Sequence, residues 1–505
     1  MSTAKISKNA IANLMGMVIN MAIAFVLSPF LVHTLGDTRY GVWTIAVAFT
    51  GYMSLFDFGI SSAVNRYVAK YNSQSEQEKI NSILSTALAL FALMAFIVIL
   101  ISPLMARLIT SMVNIDESLI EIVYLLIIVV SFDIGVFIIR GLFRGTFAGY
   151  QRYEVINATL VLSALYKALM FYAFLSEGYG LIAMGLISIS ANFLTVLVFY
   201  IWLRKQYPEV SFKFSLVKKK QASKIIGYSK FTFVAMFANQ IIYYSDAFVI
   251  GYFLTAAAVT HYSIPWTLAE YAKKISMAIS QTYAPAISDK EASGDLDMVK
   301  SLYVSGTKYM IIISNLLSVG VIVLGGAFIA VWMGPQYKEL SEAVLVILFI
   351  NQFFQGPQQI SYSVLQGLSK QKYYSYMSIV VSVFNLILSI SLIQKYGIVG
   401  VAVGAVIPQV LFNGLYVPWL TLKTLDMSKW FYFKRTYLLS IMPTLVLFGT
   451  LFVLRDMYYP EGYLALFSLA LISSFVYLIT VYFFMLDASE KSASLRIFRK
   501  LRRGT

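Results

Sequence analysis

Fourteen apolar segments run almost end to end through the chain, and the Lys and Arg residues collect in every second gap between them. The segments span 11–35, 42–58, 83–108, 119–139, 155–175, 180–203, 225–254, 262–287, 309–332, 340–365, 374–393, 397–422, 436–454 and 463–486. Each is long enough to cross about 30 Å of hydrocarbon as a helix. The pattern predicts an all-α polytopic membrane protein with fourteen transmembrane helices.

The gaps also predict orientation. Thirty of the 39 basic residues fall on one side, from Lys5 and Lys8 at the start to the six that follow Leu486. The opposite side holds only Arg39, Arg107, Lys338, Lys395 and Arg455, while Lys167, Lys230, Lys273 and Lys274 lie within segments. By the positive-inside rule both termini are cytoplasmic. The first segment lacks a small-residue cleavage signature and reads as a retained helix rather than a signal peptide.

Composition narrows the function classes. A hydrophobic fraction of 59%, 12% charged residues and a mean hydropathy of +0.75 lie outside the range of soluble domains. The formal net charge of +15 sits in loops that face anionic lipid headgroups, which argues against nucleic acid as a partner. The absence of cysteine excludes disulfides, thiolate metal sites and cysteine nucleophiles. The two histidines, His33 and His261, fall near the outer surface and do not suggest a metal site.

The chain repeats itself at an offset of about 217 residues. Ser28 falls on Ser245, Gly149 on Gly367, and the turn Tyr179-Gly180-Leu181 on Tyr396-Gly397-Ile398. This predicts two six-helix lobes, 1–215 and 216–430, followed by two further helices and a basic tail over 431–505. Six is an even number, so the copies share one orientation and a ligand passage between them follows.

Enzymatic readings find little support. The outer gaps are short, which disfavours a membrane-embedded glycan polymerase or ligase. Asp295-Leu296-Asp297 matches the DxD pattern of nucleotide-sugar transferases but follows Ser293-Gly294 in a polar loop, where a solvated turn or helix cap is the simpler reading. No GxxxxGK[ST] phosphate loop occurs. Transport without a catalytic step or a cofactor remains.

Ionisable groups at membrane depth cost about 2.5–3.5 kcal/mol each on insertion scales, so those that persist face a cavity or a partner. Lys167 lies near the middle of the fifth segment. In the eighth, Glu270, Lys273 and Lys274 stand at i, i+3 and i+4, with Gln281 continuing the Lys274 face at i+7. In the fourth, Asp133 and Arg140 are two turns apart, with Arg144 one turn further. Arg140 and Arg144 are close enough to the cytoplasmic end to reach either headgroups or substrate. Asp57 and Asp246 are single carboxylates, and Lys230 reads as a snorkelling lysine.

Basic residues along a cavity suit a phosphate or pyrophosphate, and mid-depth carboxylates suit H⁺ or Na⁺ coupling. The set Asn239, Gln240, Gln352, Gln355, Gln358 and Gln359 could bond sugars, though each one singly reads as an interhelical tie. Pro265, Pro357 and Pro408 interrupt three segments at plausible bending points for alternating access.

The first seventy residues carry Asn13, Asn20, Pro29-Phe30-Leu31, Leu35-Gly36, Tyr40-Gly41, Asp57-Phe58-Gly59-Ile60 and Arg66-Tyr67. This pattern resembles the polysaccharide-exporter branch of the multidrug/oligosaccharidyl-lipid/polysaccharide (MOP) superfamily, nearest to Wzx-type flippases. The resemblance implies a MATE/MOP-like fold that moves an undecaprenyl-pyrophosphate-linked oligosaccharide between leaflets and serves O-antigen or related glycan synthesis, with glycan polymerase machinery as a further partner. It also implies a cationic cavity, for which Arg66 and the Glu270/Lys273/Lys274 cluster occupy the expected places. The helix 1 arginines of lipid II flippases are missing here.

Taken together, Arg66, Arg140, Lys167, Lys273, Lys274 and Gln281 are the candidate substrate-binding residues. Asp57, Asp133, Asp246 and Glu270 are candidates for ion coupling or counter-charge. The rival within transport is a multidrug/cation antiporter, which would want a net acidic cavity.

Overall fold

A computed structural model describes residues 3–492, with side chains described from Asn13 onward apart from ten helix positions between 230 and 242 and at 371 and 375. Lys5, Lys8, Lys230, Asn239 and the basic residues beyond 492 therefore lie outside the described side chains. Among the described residues there are helices and turns but no strands. Among the described residues ten helices are long and apolar enough to span a bilayer. The chain divides into two compact units, Met1–Thr260 and His261–Thr505.

The first unit begins with α1 (Thr3–Met53), which is interrupted at Gly36, where φ is 73° and ψ 166°. That left-handed, extended geometry carries no penalty only for glycine, which is the physical reason for the Leu35-Gly36 motif. A 3-10 turn, Ser54–Asp57, leads through Phe58 and Gly59, both at positive φ, into α2 (Ile60–Ser73). Asp57 caps α2, its Oδ1 accepting the Ser61 N–H at 3.0 Å. There follow α3 (Gln77–Met112), α4 (Glu117–Gly149), α5 (Tyr153–Ser176), α6 (Leu181–Gln206) and α7 (Lys219–Phe253).

Helix α4 is the hub of this unit, packing on α2, α3 and α6. Gly141, Gly145 and Gly149 form a stripe at four-residue spacing facing α2. A Cβ at Gly145 would lie 2.6 Å from the Ser61 carbonyl oxygen, and one at Gly149 2.7 Å from Val68 Cβ. Small residues at this spacing let backbones close on one another where lipid offers no hydrophobic driving force between helices.

The segment joining α6 to α7 is held to the start of α3. Asn81 donates to the Glu209 carbonyl at 3.1 Å, Ser82 to the Leu216 carbonyl at 2.9 Å, and the Lys218 N–H donates to Thr86 at 3.2 Å. With α7 also packed on α1, α2 and α3, it belongs to the first compact unit. The compact boundary lies within α8 (Ala256–Ser280).

The second unit continues α8 and adds α9 (Tyr283–Ala292), α10 (Leu296–Trp332), α11 (Lys338–Gly367) and α12 (Gln371–Leu411), the last interrupted at Gly397 with φ 56°. A π-helical turn, Phe412–Tyr416, precedes α13 (Val417–Thr424). Then come α14 (Lys429–Phe433), a second π turn, Lys434–Leu438, α15 (Leu439–Met457) and α16 (Tyr463–Phe484). Its core is α10 against α15 and α16, through Val319, Val323, Leu447, Leu451 and the fully buried Tyr477. Asp295 caps α10 by accepting the Met298 N–H at 3.1 Å. Asp297 is exposed, 3.8 Å from Lys300. The DxD match is thus a helix start. Among the described residues no group of His, Cys, Asp or Glu is gathered to hold a metal.

Candidate substrate and ion site

In the first unit, charge is organised along α4. Asp133 is 7% exposed and takes a hydrogen bond from Asn192 Nδ2 of α6 at 2.6 Å. The carboxamide oxygen of the same Asn192 accepts Arg140 Nη1 at 2.8 Å. One buried carboxamide therefore bridges an acid and a base on one helix. Asn192 reaches α4 because Gly185, two turns earlier on α6, lets the helices close: a Cβ there would lie 2.7 Å from Val129.

Lys167 of α5 stands within electrostatic reach of both Asp133 and Arg140. Its ammonium lies 5.9 Å from the Phe171 ring centre, and the Arg140 guanidinium lies 4.5 Å from that of Phe137. Arg144 continues the series, within reach of Arg140 on one side and Asp57 on the other. The result is a ladder, Asp57, Arg144, Arg140, Asp133, Lys167, with three cations and two carboxylates. Its net charge is +1.

Arg66 of α2 is exposed, with its guanidinium 4.6 Å from the Tyr228 ring centre of α7. Tyr67 packs on Tyr71 and Tyr228 at ring separations of 6.1 and 6.5 Å, and Lys224 donates to the Tyr71 hydroxyl at 3.2 Å. Asp246 of α7 is 5% exposed and lies within electrostatic reach of Tyr52.

In the second unit, Glu270 and Lys273 form the expected ion pair on α8 at 3.6 Å, both about 15% exposed. Lys274 is exposed, its ammonium 5.9 Å from the Tyr271 ring centre. This cluster also sums to +1. Helix α8 ends at Ser280, and Gln281 sits exposed in the turn before α9. Its N–H still bonds Met277 at 3.0 Å, but the Thr282 N–H bonds Ile279 at 3.2 Å. The last turn tightens only after Gln281.

The amides serve as ties. Gln352 donates to Ser276 at 3.0 Å, Gln358 to the Tyr437 hydroxyl at 2.9 Å, and Gln355 to Gln409 at 3.5 Å. Gln359 bonds the Gln355 carbonyl of its own helix at 3.5 Å. Gln240 of α7 donates to the Gly51 carbonyl at 3.0 Å and to Ser54 at 2.6 Å.

Sequence reasoning missed Asn192 and the α4 glycine stripe. Both have legible signals: one Asn inside an apolar segment, and Gly-x3-Gly-x3-Gly after Arg140.

Comparison with known proteins agrees with this architecture. The family described as "Polysaccharide biosynthesis protein" matches residues 6–290, and MatE matches residues 232–390. The chain is 26% identical over 427 residues to a "Putative O-antigen transporter" of Shigella flexneri, covering 82% of this chain and 97% of that protein. It is 22% identical over 397 residues to "Probable low-salt glycan biosynthesis flippase Agl15" of Haloferax volcanii, covering 78% of each. Among solved structures, "Lipid II flippase MurJ, inward closed conformation" superposes with a TM-score of 0.75 at 17% identity, over 94% of this chain and 98% of the other. A multi-pass helical fold, a motif-bearing amino-terminal half and a family match over more than half the sequence lead to one conclusion: the chain belongs to the polysaccharide biosynthesis protein family.

Proposed function

We propose that this protein is a flippase that carries an undecaprenyl-pyrophosphate-linked oligosaccharide from the cytoplasmic to the outer leaflet by alternating access. It is a transporter and not an enzyme, as its named relatives are. The observation that carries the reading is the charge ladder centred on α4, which runs from the buried Asp133 through the half-buried Arg140 and Lys167 to the exposed Arg144. Its net positive charge complements a pyrophosphate, and guanidinium groups bond phosphate oxygens bidentately.

Arg140, Lys167 and Arg66 in the first unit, with Lys273 and Lys274 in the second, receive the anionic headgroup. Gln281, at the end of α8, contacts the glycan. Asp57, Asp133, Asp246 and Glu270 balance that charge, and H⁺ or Na⁺ binding at them couples transport to an ion gradient. The lobes are the sequence repeat, 1–215 and 216–430, with 431–505 as an appendage. The chain crosses the inner membrane fourteen times with both termini cytoplasmic: ten apolar helices, the doubling back of α1 at Gly36 and of α12 at Gly397, and crossings by α7 and α8. The polyprenyl tail stays in lipid, and the delivered unit passes to polymerase machinery.

The MatE match over residues 232–390 favours a second reading, a multidrug/cation antiporter. One experiment separates the two. Cells depleted of the protein are assayed for outer-leaflet lipid-linked oligosaccharide by enzymatic cleavage from outside, with complementation by wild type, Lys273→Ala/Lys274→Ala and Arg140→Gln. Cytoplasmic-side accumulation rescued only by wild type supports the flippase and its site. Normal outer-leaflet delivery without the protein sinks that reading and favours drug efflux.

A further inference from the structure

A cleft of about 610 Å³ lies in the second unit among α10, α14, the start of α15 and the segment that follows α16. Its volume is in the range of small-molecule sites. Its lining carries three cations, Lys300, Lys308 and Arg435, and three carboxylates, Asp297, Asp487 and Glu490.

Most of that charge is already matched. Lys308, 6% exposed, bonds Glu490 and the Met485 carbonyl, the latter at 3.4 Å. Glu490 also accepts the Tyr309 hydroxyl at 3.3 Å. Lys300 faces Asp297. Two groups are left over. The Arg435 guanidinium stands 5.9 Å from the Phe431 ring centre and makes no ion pair among the described residues. The Asp487 carboxylate accepts the Ser489 hydroxyl at 2.7 Å and the Glu490 N–H at 3.0 Å, again with no ion pair among the described residues. Between them the walls are apolar, supplied by Phe431, Leu439 and Phe484.

A cleft with one unpaired guanidinium, one unpaired carboxylate and apolar walls complements a molecule with a phosphate, an ammonium and hydrocarbon chains. We propose that this cleft binds a zwitterionic glycerophospholipid of the phosphatidylethanolamine type, its phosphate on Arg435, its ammonium on Asp487 and the first carbons of its chains along Leu439 and Phe484. The cleft shares no lining residue with the charge ladder or the Glu270/Lys273/Lys274 cluster, and it requires no assumption about the glycan. An anionic lipid meets the same guanidinium but leaves Asp487 facing a like charge. Free phosphate meets neither the carboxylate nor the walls.

The test is native mass spectrometry of the full-length, delipidated protein titrated with phosphatidylethanolamine, with phosphatidylglycerol and with inorganic phosphate. The expected result is retention of phosphatidylethanolamine about tenfold tighter than phosphatidylglycerol, the size of one charge-assisted contact. Arg435→Gln should lower retention of both lipids. Asp487→Asn, which keeps a residue suited to capping the helix that starts there, should lower only phosphatidylethanolamine. Equal retention of the two lipids, or a bound inorganic phosphate that survives equally well, overturns the proposal. Should the variants fold poorly, a photoreactive phosphatidylethanolamine analogue on wild type decides it. Cross-links within 427–439 and 484–490 support the site, and cross-links found only elsewhere refute it.

Discussion

Asn192 donates to Asp133 across 2.6 Å, and through its oxygen the same side chain holds Arg140, so an acid and a base two turns apart on α4 are joined by a residue of α6. A carboxamide, with its donor NH₂ and acceptor oxygen on separate atoms, can accept from a cation and donate to an anion at once.

Removing that bridge leaves both charges short of a partner at membrane depth. Asn192→Leu should destabilise the protein by about 1–3 kcal/mol, the cost of an unsatisfied buried polar group. Thermal unfolding in detergent measures it. In an Asp133→Asn/Arg140→Gln background the same change should cost much less, and equal losses in the two backgrounds would mean that the three residues act independently.

The α4–α2 contact predicts steric sensitivity. Gly145→Val puts carbon against the Ser61 carbonyl, where a Cβ has only 2.6 Å, and should cost about 1–3 kcal/mol as overpacking does. Gly449→Ala, with nothing within 4 Å, serves as control and should be near neutral. Comparable melting temperatures for the two variants would remove the argument that the stripe sets the helix separation.

Lys308 and Glu490, 182 positions apart, tie α10 to the chain that follows α16. Glu490→Gln leaves a buried ammonium without its counter-charge and should cost about 3–5 kcal/mol, whereas Lys308→Met/Glu490→Gln should recover most of the loss. A double variant no more stable than the single one would refute the pair as the cause.

Asp487 carries a pH dependence. The Ser489 hydroxyl foremost, then the Glu490 N–H and the Lys308 charge, hold its carboxyl below the ordinary 3.8. A depressed folded value stabilises above the unfolded one and is lost as pH falls through the lowered value. The groups facing it are Lys308, Ser489 and Glu490, which itself bonds Tyr309. The helical start after Leu486 should therefore stay ordered from pH 7 to 5 and loosen only below about pH 4. Because the chain has no cysteine, a nitroxide on Ser492→Cys reports this cleanly. Loosening between pH 7 and 5 would contradict the assignment.

Hydrophobic runs and the alternation of basic gaps made the membrane class legible without coordinates, because the cost of burying charge in hydrocarbon acts on each segment separately. The same one-dimensional logic found the Glu270–Lys273 pair, which lies on a single helix with known spacing, and placed Asp133 and Arg140 on one face. Gly36 and Gly59 were legible as motif and are explained by their positive φ. What only the tertiary structure decided is which segments meet. Nothing local to 180–203 says that Asn192 lies between Asp133 and Arg140, that Lys167 joins them, or that Glu490 neutralises Lys308. The end of α8 before Gln281 and the packing of α7 with the first unit were equally beyond reach. These depend on helix contacts between residues far apart in the chain, set by glycine-limited approach and polar pairing that no single segment encodes.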